Sequence, residues 1–138
     1  MTKKAQTLEQ IMSEIFALDS PQISDNRKDD ICNFVSSVVN GDDPTTHLVV
    51  NAGFREGREG AIAYILTDKR LIKIDIDEKE AQSSSFLLKT IIGIERSMDG
   101  DRAQFNISFQ NGSFGLKYPK DNKKIAEFLQ QLDQARAN

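Results

Sequence analysis

The sequence predicts an α+β protein in which two helices precede seven short antiparallel strands and one closing helix. Three observations carry this. Apolar residues recur at helical spacing across residues 7–39. The period changes to two after Gly41-Asp42-Asp43-Pro44 and returns to helical over 122–136. Asn111-Gly112 sits between two alternating runs, the strongest short signal for a hairpin.

The first helix is expected over 7–18. Thr7 and Gln10 form a capping-box pair, and Leu8, Ile11, Met12, Ile15 and Leu18 share one stripe. Asp19-Ser20-Pro21 stops it. The second is expected from Asp25 to Val39, capped by Ser24, with Ile31, Phe34, Val35 and Val38 inward and Cys32 as a small hydrophobe among them. The breaker cluster at 41–44 divides the chain into an N-terminal helical pair, 1–44, and a second part, 45–138. Strands follow near 46–52, 61–67, 70–77, 84–89, 91–97, 103–110 and 113–119. Phe105, Ile107 and Phe109 alternate with Asn106, Ser108 and Gln110, and Phe114, Leu116 and Tyr118 return the pattern. A type I′ turn at Asn111-Gly112 joins those runs, and Met98-Asp99-Gly100-Asp101 makes another turn. Pro119 ends the last strand, and Ile125, Phe128, Leu129 and Leu132 face inward from the closing helix.

Composition narrows the function classes. A net charge of −3 argues against nucleic acid, whose binders concentrate Lys and Arg. The charge divides unevenly: residues 1–44 carry net −4 and residues 45–138 net +1. A single cysteine excludes an internal disulfide framework and a cysteine-based zinc site. The N-terminal stretch is too polar for a signal peptide, and no apolar run approaches the ~20 residues needed to span a bilayer. A cytoplasmic location is the expectation.

The run Tyr64-Ile65-Leu66-Thr67-Asp68-Lys69-Arg70-Leu71-Ile72 resembles the "LT-N-KRL" hairpin of bacterial pleckstrin-homology (PH)-like and GRAM-like domains. Asp68 stands where those domains usually carry Asn, and both residues tolerate positive φ. Phe86-Leu87-Leu88-Lys89-Thr90-Ile91-Ile92-Gly93-Ile94 is similar to their next strand pair. The resemblance covers about 46–138 and leaves the two N-terminal helices outside it. It implies a seven-stranded antiparallel half-open barrel, one end capped by the C-terminal helix, with loops at the other end free to bind.

The candidate contact residues are cations. Lys69 and Arg70 at the turn, Lys73 beyond it, and Arg55 and Arg58 in the preceding loop could meet an anionic ligand or an acidic partner. The plainer reading is a hairpin tip whose charges deter edge pairing, and it is favoured because the 53–60 loop alternates signs and sums to zero. Its three glycines lack the Walker spacing of a phosphate cradle. His47 has no second histidine and is read as an edge residue. Asp75, Asp77, Glu78 and Glu80 lack the glycine and terminal glutamate of an EF-hand loop. No nucleophile–base pair emerges, so no catalytic residue, metal or cofactor is expected. The leading expectation is a non-catalytic binding or assembly module whose partner is a protein or a second copy. The alternative is a peripheral membrane module contacting anionic lipid headgroups through Arg55, Arg58, Lys69, Arg70 and Lys73.

Overall fold

A computed structural model describes residues 3–18, 23–51, 60–77, 79–100, 102–119 and 123–137. The elements in order are α1 (Lys3–Phe16), α2 (Asp25–Val39), β1 (Pro44–Asn51), β2 (Gly60–Thr67), β3 (Arg70–Asp77), β4 (Ala81–Leu87), a 3-10 turn (Leu88–Thr90), β5 (Ile91–Asp99), β6 (Arg102–Phe109), β7 (Gly112–Pro119) and α3 (Lys123–Ala137). Seven strands and a C-terminal helix agree with the sequence reading. The single half-open barrel does not. Hydrogen bonding divides the strands into a four-stranded sheet, β1-β2-β3-β4, and a three-stranded sheet, β5-β6-β7. The break falls where the 3-10 turn interrupts the extended chain between β4 and β5. By contact the chain forms two compact units, Met1–Ser85 and Phe86–Asn138.

In the first unit, β2 pairs antiparallel with both β1 and β3. The register sets Ala61 against Ile76, Ala63 against Ile74 and Ile65 against Ile72, so these six side chains share one face. That face is covered by α1 and α2: Ile11, Met12, Ile15, Ile31, Val35 and Val39 join it in one buried cluster. Each fully buried Ile or Val contributes about 1.5–3 kcal/mol. The helical pair therefore shares the core of the sheet. Ile62, Tyr64, Leu66 and Leu71, on the other face, are buried as well. Helix α1 starts four residues before the expected site, because Lys3-Lys4-Ala5-Gln6 contains only good helix formers. Thr7 therefore lies inside the helix and is not its cap.

Both ends of α2 are tied to β3. Near its start, the Arg27 guanidinium donates to the Asp77 carbonyl at 2.9 Å. Near its end, the Val38 carbonyl accepts from Arg70 at 3.0 Å. The helix thus runs antiparallel to the strand it covers. Ser24 occupies the N-cap position, as expected, but its hydroxyl makes no capping bond. At the other end Gly41 takes φ +84°, the left-handed conformation in which helices commonly stop.

In the second unit, β6 pairs antiparallel with β5 and β7. The β6–β7 register sets Phe109 opposite Gly112, so the turn residues are Gln110 and Asn111 and not the expected Asn111-Gly112. Glycine follows the turn, a position it favours in type I turns. Gly100 takes φ +63° at the β5–β6 turn, where the sequence placed one. Ile125, Phe128, Leu129 and Leu132 of α3 are buried, the four residues assigned to its inner face.

Candidate functional site

The two adjacent cations of the β2–β3 hairpin have different fates. Thr67 ends β2, and its hydroxyl oxygen accepts from the backbone amides of Lys69 at 3.2 Å and Arg70 at 2.9 Å. That closes the turn locally. The same hydroxyl donates to the Asp42 carboxylate at 3.0 Å. Arg70 folds inward and is engaged by all three of its nitrogens. Nε donates to Asp42 Oδ2 at 2.7 Å, one Nη to the Val38 carbonyl at 3.0 Å and the other to Ser85 Oγ at 3.2 Å. One guanidinium thus joins the end of α2, the 41–44 turn, the hairpin and β4.

Burial disfavours the charged form of Asp42. The hydrogen bonds from Arg70 and Thr67, with the charges of Arg70 and Lys69, outweigh it and hold the carboxyl below the ordinary carboxylate pKa. The folded carboxylate therefore binds its proton less tightly than the unfolded one, whose pKa is about 3.9. Its stabilisation is complete above the unfolded pKa and is lost as pH falls through the folded one. Denaturant melts of the native chain should lose stability below about pH 4. In Asp42→Asn the slope of stability against pH over that window should be shallower; an unchanged slope refutes the assignment.

Of the other proposed cations, Lys69 is exposed on the turn and Lys73 is half-buried on β3, opposite Tyr64 in register. Arg55, Arg58 and most of the 53–60 loop lie outside the described residues. Among the described residues the structure therefore does not gather these five cations into one site. His47, on edge strand β1, meets the Glu14 carboxylate of α1 through Nε2. Cys32 is half-buried; burial, then the charge of Asp29, push its thiol pKa up. Asp77 caps the β3–β4 turn, accepting from the amides of Lys79 at 2.7 Å and Glu80 at 2.8 Å.

A different site lies in the second unit. An open cleft of about 350 Å³ is lined by Leu88, Lys89, Ile91, Asp133 and Arg136. Local bonds fix the 3-10 turn that carries Leu88 and Lys89. The Thr90 hydroxyl donates to the Leu87 carbonyl at 2.7 Å, and the Gln110 amide donates to the Thr90 carbonyl at 3.2 Å. Phe86 stacks on Phe109 with ring centroids 4.1 Å apart. The far wall is the last two turns of α3. Asp133 pairs with Arg96 of β5, and Arg136 reaches the Ile92 carbonyl at 3.4 Å. Next in sequence to the lining residues Leu88 and Ile91, Leu87 is 45% exposed and Ile92 65% exposed. Ile92 falls at a register irregularity of β5, between Ile91 and Gly93. Two cations, Lys89 and Arg136, line the cleft with one acid, Asp133, beside the apolar Leu88 and Ile91.

Sequence reasoning missed this cleft, although one signal was present. Leu87-Leu88 and Ile91-Ile92 are adjacent apolar pairs, and a strand cannot turn both members of a pair to the same side. In this chain one of each, Leu87 and Ile92, faces out, although β2 shows that both faces of a strand can be buried. Nothing in the sequence indicated that Asp133 and Arg136 would stand opposite them.

No protein-family profile matches the chain, and no curated protein matches it. Among solved structures it is similar to a DUF1696 family protein with a pleckstrin-homology domain from Shewanella loihica PV-4. The TM-score is 0.55 at 14% identity, over 78% of this chain and 95% of that one. At such low identity the likeness speaks to fold alone. Among the described residues seven strands form sheets of four and three and a helix follows the last strand, and the chain has a pleckstrin-homology-like fold.

Proposed function

We propose that the chain is a non-catalytic binding module that docks an acidic, apolar-flanked segment of a partner protein in the cleft between the 3-10 turn and the end of α3. A fold of this class is a scaffold, and function lies in the sites built on it. The observation that carries the reading is the pairing of cationic with apolar side chains in one cleft. Lys89 and Arg136 line it with one acid, Asp133, which Arg96 pairs from β5, and Leu88 and Ile91 supply its apolar lining. Exposed apolar groups rimmed by charge mark interaction sites, and charge complementarity supplies specificity. The hairpin cations fit an anionic ligand less well, because Arg70 is tied to Asp42, Val38 and Ser85.

Titration with acidic peptides containing Leu or Ile should shift the amide resonances of residues 87–92 and 130–136. The Lys89→Glu/Arg136→Glu variant should bind at least about tenfold more weakly, since each exposed pair contributes up to about 1 kcal/mol. Basic peptides binding equally well, or shifts mapping elsewhere, would overturn the reading. Vesicles containing phosphoinositides should not co-sediment with the protein at physiological salt. Co-sedimentation abolished by charge reversal at Lys69 and Lys73 would favour the membrane alternative instead.

A further inference from the structure

Two arginines at the α3 wall of the cleft already hold a carboxylate, and it is the chain's own. Arg96 of β5 donates through one Nη to Asp133 Oδ2. Arg136, one turn beyond Asp133 on α3, brings its other-side Nη to 3.9 Å from Asp133 Oδ1. Both carboxylate oxygens therefore face a guanidinium. Side-chain exposures of 52% for Arg96 and 44% for Asp133 leave that pair open to solutes. So exposed an ion pair is weak enough to be exchanged for another.

We propose that Asp133 is an internal stand-in for the partner's acidic residue, and that docking exchanges its carboxylate for the incoming one. This rests on the cleft reading and deepens it, by naming the residue that sets the cleft's selectivity. The ligand chemistry follows from the stand-in, since a carboxylate is what the two guanidiniums hold in this structure. Their planar, paired donors match any carboxylate, so one acid replaces another on the same nitrogens with no ion pair lost. Asp133 and Arg136 both line the cleft, which places the exchange where a docked segment lies. Arg136 also donates to the Ile92 carbonyl at 3.4 Å, a tie that keeps its guanidinium in position when Asp133 leaves. With Asp133 seated, a segment lacking an acid cannot open the pair, and an acidic one must compete with a like charge. Specificity commonly needs such an element against the wrong partner. The plainer role for Asp133 is a brace between α3 and β5. A brace and a stand-in give opposite results for the same substitution.

Asp133→Asn keeps the side chain's shape and removes its charge. Titrated as the full chain with a Glu-rich peptide containing Leu, at physiological salt, it should bind about two- to fivefold more tightly than the native chain, the equivalent of one exposed pair. Loss of a brace would weaken binding instead. Glu127→Gln removes the same charge from an exposed position on α3, about 9 Å earlier along the helix. Salt screens charges at that distance, so Glu127→Gln should leave the affinity unchanged. In an Arg96→Gln background the gain from Asp133→Asn should shrink, because only Arg136 remains to be freed. Equal or weaker binding by Asp133→Asn, an equal gain from Glu127→Gln, or an undiminished gain without Arg96 would overturn the proposal. The cleft reading would survive each of these, since the native chain would still bind. Binding by neither the native chain nor Asp133→Asn would overturn both.

Discussion

Replacing Arg70 by Ala is expected to cost about 2–4 kcal/mol of folding stability, far more than an exposed hairpin cation contributes. The Asp42 side chain is only 12% exposed and that of Arg70 24% exposed. Removing the guanidinium strands a mostly buried carboxylate and leaves the Val38 carbonyl without its side-chain donor. An unsatisfied buried group costs about 1–3 kcal/mol, and more when it is charged. Residual solvent access at both partners places the estimate below the figure for a fully buried pair. Arg70→Lys should recover little, because one ammonium cannot reach Asp42, Val38 and Ser85 from a single position. Asp42→Asn in the Arg70→Ala background should then regain part of the loss, since the stranded charge is gone. Urea midpoints of the four chains measure all of this. A loss under about 0.5 kcal/mol for Arg70→Ala, the range of ordinary surface substitutions, would show that the contact is incidental.

That prediction marks where the sequence could be read and where it could not. The turn itself was legible, because Thr67 followed by two polar residues between apolar runs is local chemistry. Arg70 as an anchor was not. Its partners Val38 and Asp42 lie 32 and 28 residues earlier, and no periodicity relates them. The helices were legible for a similar reason. The stripe Ile11, Ile15 and the stripe Ile31, Val35 are carried by spacing alone, and both proved to be buried. Element ends were less secure. The capping-box pattern at Thr7 is short enough to arise inside a helix, and α1 ran through it. The β6–β7 turn moved by one residue, because Gly112 serves after a turn as readily as within one. The division into two sheets was hidden for a physical reason. Strand patterning reports which side chains point inward, and it is silent on which strands exchange hydrogen bonds. The cleft was not legible: Leu88 and Ile91 sit in apolar runs that a doubly buried strand such as β2 also shows, and the other wall came from a helix about 40 residues away.

A chain beginning at Pro44 is expected to lose cooperative folding. Without α1 and α2, Ala61, Ala63, Ile65, Ile72, Ile74 and Ile76 would face water as one continuous apolar surface. From the other side, Ile11, Ile15, Ile31, Val35 and Val39 are each no more than 3% exposed. At about 1.5–3 kcal/mol apiece, these five together contribute roughly 7–15 kcal/mol. That sum is an upper figure, because unfolded chains already bury part of this surface. It is nonetheless as large as the whole net stability of a typical domain, about 5–15 kcal/mol. The polar ties would go as well, since Arg27, Val38 and Asp42 all lie in the removed segment. A milder version of the same experiment keeps the chain intact. Ile15→Ala should cost about 2–5 kcal/mol, and Val35→Ala somewhat less, being the smaller deletion. For the truncated chain the expected result is aggregation, or a broad transition without a defined midpoint. A soluble monomer that melts sharply at the midpoint of the full-length protein would show that the sheet does not depend on the helices. The helices would then be an assembly device in their own right, and the search for the partner's contact would move from the cleft to α1 and α2.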